Sequence, residues 1–183
     1  MENFKNPWKI TSEKEIYDNP WINVKEYGVI NPGGGNGIYG KVSFKNLAIG
    51  IIPVDENNFT WLVGQYRFTL NQYSWEIPMG GGPVGSDPIV SAKRELKEET
   101  GIEATKWKHV LNIHTSNSVT DELGHVFLAS GLTFGVNNLE EAESDLQVKK
   151  IVFDDALQMI EDGIITDAIS MAGLLKVARI LNI

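Results

Sequence analysis

The 183-residue sequence predicts an α+β protein, a mixed sheet with helices on its faces, and three observations carry that reading. Segments rich in Val, Ile, Tyr, Phe and Trp outnumber segments with helical spacing. Three segments nevertheless carry a 3.6-residue apolar period, and the first of them has start and stop signals at both ends. Runs of strands interrupted by a few helices are the pattern of α+β architecture. A hydrophobic content of 42% at this length is enough to bury one sizeable core without disulfides or a structural metal.

In chain order, the strand-like runs 21–30 and 38–54 flank Pro32-Gly33-Gly34-Gly35-Asn36-Gly37, whose glycines supply the positive φ angles of a long hairpin. Further strands are expected over 59–68 and 75–77. The helix 88–100 follows, with Asp87 as N-cap, Pro88 in the first turn and Gly101 just past the end. Strands are then expected over 107–114, 125–129 and 147–153. Two last helices, 155–162 and 167–181, frame Gly163. Ala156, Leu157, Met159 and Ile160 form the apolar face of one, and Ala168, Met171, Leu174, Leu175 and Ala178 that of the other.

Charge and composition exclude several functions. Sixteen basic against twenty-four acidic residues give a net charge of −8, which repels a phosphate backbone and argues against general nucleic-acid binding. Cysteine is absent, so there is no disulfide framework, thiolate metal site or cysteine nucleophile. The opening residues lack the apolar core of a signal peptide, and no window approaches the roughly 20 apolar residues of a membrane helix, so a soluble cytoplasmic protein is expected.

The chemistry concentrates in Arg94-Glu95-Leu96-Lys97-Glu98-Glu99-Thr100-Gly101-Ile102. Glu95, Glu98 and Glu99 stand at i, i+3 and i+4, which puts three carboxylates on one helix face. Like charges at this spacing repel by a few tenths of a kcal/mol per pair, about 0.2–0.5, and the C-terminal end of the helix dipole adds to the penalty. A cation is therefore required. Arg94 supplies one by an intrahelical ion pair, which would leave a solvated acidic face; a hard divalent ion, which prefers carboxylate oxygen, is the other. The preceding Pro78-Met79-Gly80-Gly81-Gly82-Pro83-Val84-Gly85 follows the strand-like Trp75-Glu76-Ile77, and its glycines let backbone approach a ligand closely. Strand, glycine-rich loop and acidic helix thus stand in series, with Met79 or Gly80 brought beside the carboxylates.

From Gly80 to Ile102 the sequence resembles the Nudix hydrolases, whose pattern is Gly, five residues, Glu, seven residues, Arg-Glu, an aliphatic, any residue, Glu-Glu, any residue, Gly, aliphatic. Every fixed position matches except one, where Ser86 stands for the first Glu. The resemblance implies the Nudix fold, mixed sheets sandwiched between helices, and hydrolysis of a nucleoside diphosphate linked to another moiety with Mg2+ or Mn2+. It assigns Glu95, Glu98 and Glu99 as metal ligands with a backbone carbonyl of Met79 or Gly80, and Arg94 as the arginine that orients one of the glutamates. Ser86 keeps a second possibility open, a Nudix domain that binds a nucleotide as a sensor without cleaving it.

Beyond the box, the chain is similar to the ADP-ribose and nucleoside-diphosphate-sugar pyrophosphatases. The similarity is carried by Gln65-Tyr66-Arg67, Ser74-Trp75-Glu76-Ile77-Pro78, Ser118-Val119-Thr120-Asp121-Glu122 and the acidic run Glu140-Glu141-Ala142-Glu143-Ser144-Asp145. It implies Arg67 as a phosphate contact, Glu76 and Glu122 as candidate substrate contacts, and Glu143, or failing that Glu141, as the base that deprotonates a water. Trp21 is a candidate to stack on a base. The proline that marks ADP-ribose preference in that subgroup has no counterpart over 115–120, which leaves other sugar or dinucleotide diphosphates open. The expected organisation is a β extension over 1–45, used by relatives for homodimerisation, and a Nudix domain over 46–183. A free nucleoside triphosphate as substrate is a third reading.

Overall fold

The computed structural model describes residues 4–139 and 144–183. The chain divides into two compact units, Met1–Asn46 with Ser116–Glu122, and Leu47–Thr115 with Leu123–Ile183.

The N-terminal unit is an antiparallel meander of β1 (Lys9–Asp18), β2 (Ile22–Ile30) and β3 (Asn36–Phe44). The β2–β3 ladder runs unbroken from Ile22↔Phe44 to Ile30↔Asn36. Its turn is built as the glycines predict: Gly34 adopts φ 88°, and the Asn31 carboxamide oxygen accepts the N–H groups of Gly33 and Gly35 at 3.0 Å. Asn19 does the same between β1 and β2, accepting from Trp21 and Ile22. Segment 116–122 lies along β3, with the Tyr39 hydroxyl donating to the Ser118 carbonyl at 2.7 Å and Asp121 paired to Lys41 at 2.6 Å. Burial acts against the Asp121 charge. Lys41, the donating Ser43 hydroxyl and the Phe44 N–H outweigh it and hold this carboxyl below its ordinary range. Val29 is the one buried apolar residue among the described residues of this unit.

The second unit contains a four-stranded mixed sheet and a three-stranded antiparallel one. The first has the order β7 (Met79–Pro83), β4 (Asn46–Pro53), β9 (Gly124–Phe134), β8 (Ile102–Ile113), with β4 parallel and β8 antiparallel to β9. The second has the order β10 (Gln147–Val152), β5 (Phe59–Arg67), β6 (Gln72–Glu76). The helices are α1 (Pro88–Thr100), α2 (Phe153–Glu161) and α3 (Ala168–Leu181). Ile49 and Ile51 of β4 join Trp61, Ala92, Leu96, Ile102 and Phe127 in one core with α1, while Ile52 joins Leu62, Ile77, Phe153, Ile169 and Leu174 in another with α2 and α3. Helices therefore cover both faces of β4, which is why its sequence is an apolar run without alternation. Each fully buried Ile or Leu contributes about 1.5–3 kcal/mol. Among the described residues no helix is long and apolar enough to cross a membrane.

Three expectations need correction. The run 38–54 is two strands in different sheets. The chain leaves β3 at Phe44 and enters β4 at Asn46, and Lys45 fixes the break by donating its N–H to the Trp21 carbonyl and pairing its ammonium with Asp18. The glycine-rich stretch at 79–83 is an edge strand rather than a loop. Helix α2 starts at Phe153, two residues early, because the fully buried Phe153 ring anchors its first turn.

Candidate active site

Helix α1 carries the acidic face, and its ends are fixed by local chemistry. Asp87 accepts the Ile89 N–H, and Gly101, at φ 71°, donates its N–H to the Lys97 carbonyl. With the helix so phased, Glu95 and Glu99 face inward, at 6% and 1% exposure, and Glu98 sits on the rim. Strand β7 lies against this face, and glycine is required there. A Cβ on Gly80 would stand 2.2 Å from the Glu95 carboxylate carbon and 2.3 and 2.4 Å from its oxygens.

The Arg94 guanidinium ties helix to strand. It donates to Glu98 at 2.7 Å, to Glu95, and to the Gly81 carbonyl at 2.9 Å. Burial acts against the Arg94 charge. The attraction of Glu95 and the hydrogen bonds to Glu98 and Glu95 exceed that cost and raise its pKa. Glu99 accepts the Met79 N–H at 3.0 Å, so three successive residues of β7 (Met79, Gly80 and Gly81) each meet a functional position of α1 (Glu99, Glu95 and Arg94).

Arg67 and Glu76, which the sequence marks separately, meet across the β5–β6 hairpin in a two-pronged ion pair, with Nε to Oε1 at 2.9 Å. The hydrogen bond to Glu76 raises the Arg67 pKa against the cost of burial, and the charges of Asp167 and Glu99 act in the same direction. Arg67 therefore lies within the field of an α1 carboxylate. Asp167, read from sequence only as the start of a helix, does cap α3 by accepting the Ser170 N–H at 2.7 Å. The Ser170 hydroxyl then accepts the buried Ile77 N–H at 3.0 Å, which fixes the chain two residues before Met79. Periodicity carries no signal for the Ile77–Ser170 contact, since it joins residues 93 apart in sequence.

The remaining marked residues lie as follows. Ser86 is exposed, and both its hydroxyl and its N–H donate to the Pro83 carbonyl, a turn that precedes α1. Trp21, 66% exposed, and Glu122, whose N–H donates to the Thr120 hydroxyl, belong to the N-terminal unit. Glu141 and Glu143 lie outside the described residues.

Among the described residues no group of three His, Asp or Glu side chains is arranged to hold a metal ion, since Glu95 and Glu98 are held by Arg94 and Glu99 by the Met79 N–H. The donor chemistry nonetheless fits a hard divalent ion. Three carboxylates share one helix face, and Gly80 leaves backbone and carboxylate close enough for one ion to meet both.

A glycine edge strand laid against a capped helix with three carboxylates on one face defines a carboxylate-centred site in an α+β sandwich. Residues 44–158 match the NUDIX domain, and residues 8–42 match the nucleoside diphosphate sugar hydrolase N-terminal domain. The chain belongs to the NUDIX family. It is similar to an ADP-ribose pyrophosphatase of Mycobacterium tuberculosis, 33% identical over 71% of this chain and 64% of that protein. It is likewise similar to an ADP-ribose pyrophosphatase of Bacillus subtilis, 34% identical over 66% of each. A methanol dehydrogenase activator of Bacillus methanolicus is 36% identical over 66% of each chain. The matched stretches thus span just under two thirds of these relatives. A crystal structure of an ADP compounds hydrolase superposes over 99% of this chain and 97% of that one, with a TM-score of 0.85 at 18% identity, and shows the same fold.

Proposed function

We propose that the protein hydrolyses the diphosphate bond of a nucleoside diphosphate sugar, or a related nucleoside diphosphate conjugate, to a nucleoside monophosphate and a sugar phosphate. The observation that carries this reading is the set of three carboxylates on one face of α1 laid against β7, with Glu95 packed on Gly80, Glu99 on the Met79 N–H, and Arg94 as counter-charge to Glu95 and Glu98. The similarity to ADP-ribose pyrophosphatases supports the substrate class.

In this reading Glu95, Glu98 and Glu99, with a carbonyl of Met79 or Gly80, hold Mg2+ or Mn2+. The bound ion supplies charge stabilisation at the diphosphate oxygens. Arg94 orients Glu95 and Glu98. Arg67, immobilised by Glu76, presents its cationic edge to a phosphate, because a guanidinium anchored at one side keeps further N–H donors. Glu143, or failing it Glu141, takes the proton of the attacking water. Trp21 and Glu122 are the further candidate substrate contacts. The N-terminal extension 1–45 is proposed as the homodimer element ahead of the Nudix domain 46–183. Support comes from exposed Trp8, Ile10, Ile16, Tyr17 and Ile38 in a unit with little buried core. The same reading places the protein in the cytoplasm.

The test is product release from ADP-ribose, GDP-mannose, UDP-glucose, NADH and nucleoside triphosphates, with and without Mg2+ or Mn2+. Metal-dependent formation of a sugar phosphate supports the reading, and pyrophosphate from triphosphates replaces it. Ser86, in place of the first glutamate of the pattern, motivates one competitor, a nucleotide sensor. No turnover, together with thermal stabilisation by a nucleotide, would establish that competitor.

A further inference from the structure

Outside the carboxylate site, two imidazoles meet at the edge of the mixed sheet. The β8–β9 register passes from His109↔Phe127 to Leu111↔Val126 and Asn112↔His125, with a bulge between His109 and Leu111. In a regular strand, residues three apart point to opposite faces. The extra residue at the bulge brings His109 and Asn112 onto one face, the face of Phe127 and His125. The two histidine rings stand 5.6 Å apart at 53°, and His109 also meets Phe127 edge-on at 5.2 Å. No hydrogen bond or ion pair engages either imidazole among the described residues. His109 is exposed and His125 half-buried.

We propose that His109 and His125 form a second cation site, separate from the α1 carboxylates, for an ion of the Zn2+, Cu2+ or Ni2+ class, with water completing its coordination. Imidazole suits these borderline ions, whereas Mg2+ and Mn2+ prefer carboxylate oxygen. The ring separation is of the size that one shared ion requires. A metal–nitrogen bond of about 2.0–2.1 Å puts each ring centre about 3.2 Å from the metal. Two rings at a tetrahedral angle would then be roughly 5.2 Å apart, and two on opposite sides roughly 6.4 Å. The observed 5.6 Å lies between these limits. Burial, with the charge of His109 adding, lowers the His125 pKa, a shift toward the neutral ring that a metal ligand needs. An ion held here would staple edge strand β8 to β9.

The experiment is calorimetric titration of the untagged full chain with Zn2+ or Cu2+ under excess Mg2+, on the wild type and on His109→Gln, His125→Gln and His114→Gln. The first two variants are expected to weaken binding by at least the roughly 10- to 100-fold that even the outer partners of metal ligands contribute. His114→Gln should bind as wild type, and Cu2+ on the wild type should show electron-spin coupling to two nitrogens. Wild-type affinity in His109→Gln, or coupling to fewer than two nitrogens, overturns the site. His109 is exposed, so its substitution leaves the buried core untouched, and the spectroscopic readout needs no variant. Neither measurement depends on hydrolase activity.

Discussion

Gly80→Ala tests whether the site is set by the contact between β7 and α1. The added methyl would stand 2.2–2.4 Å from the Glu95 carboxylate atoms, where about 3.5 Å is needed, so the carboxylate must retreat by roughly 1 Å. The backbone itself accepts alanine, because Gly80 is not among the glycines with positive φ. Alanine at a compatible position stabilises by about 0.4–1 kcal/mol through the unfolded chain. Loosening the hydrogen bond between Glu95 and Arg94 costs about 1 kcal/mol, screened in part because the Arg94 side chain is 43% exposed. These terms nearly cancel, so the thermal midpoint should move by only a few degrees. A displacement of about 1 Å at a reacting centre costs about 100-fold in rate. Metal-dependent turnover of whichever conjugate the substrate panel identifies should therefore fall about 100-fold in a folded protein. Gly40→Ala, whose added Cβ meets nothing within 4 Å, is the control and should leave both quantities unchanged. Wild-type turnover in Gly80→Ala would refute the argument that glycine is required to seat Glu95.

Four further tests each have a defined outcome. Chelation should abolish turnover and Glu98→Gln should lower it by roughly 100-fold; wild-type rates in either case would sink the metal assignment. Arg67→Ala should raise KM more than it lowers kcat, and an unchanged KM would make Arg67 a structural partner of Glu76 only. Glu143→Gln should lower kcat by about 100-fold or more while Glu141→Gln leaves it nearly intact, and the opposite order would move the base to Glu141. Asp121, held below its ordinary pKa of 3.8, adds stability that is complete above that value and lost as pH falls through the lower folded value. Midpoints measured across this acid range should fall more steeply in the wild type than in Asp121→Asn, and parallel curves would remove Asp121 from the acid response.

What could be read from sequence depended on whether the determinant was local. Helix α1 was legible to the residue, because Asp87, Pro88 and Gly101 each act within a turn of their own position. So was the turn around Gly34, where a positive φ selects glycine. Strand β1 was not, since every residue of Lys-Ile-Thr-Ser-Glu-Lys-Glu-Ile-Tyr-Asp is exposed and no buried face shapes its pattern. Strand β7 was missed for a related reason: Gly80, Gly81 and Gly82 have no side chains to alternate, and extension comes from pairing with β4 and from contact with α1. The Arg67–Glu76 pair was equally hidden, because it requires the hairpin register that sets Val63 opposite Glu76 and Arg67 opposite Gln72.

That dependence on register explains how an acidic site is tolerated inside a fold. An unpaired buried carboxylate costs several kcal/mol, and among the described residues three carboxylates are buried: Glu76, Glu95 and Glu99. Each is held by a different element. Arg67 on β5 holds Glu76, Arg94 within α1 holds Glu95, and the backbone N–H of Met79 on β7 is a partner of Glu99. The three partners sit on three different elements, so all three acids are held only while β5, β6, β7 and α1 remain in mutual register. The same contacts that make the carboxylates affordable therefore fix their positions relative to one another. Glu98 alone of the acidic triad sits on the rim, at 29% side-chain exposure, where changing its charge disturbs the site without stranding a buried partner. That is the physical reason Glu98→Gln is the variant in which loss of turnover can be separated from loss of fold.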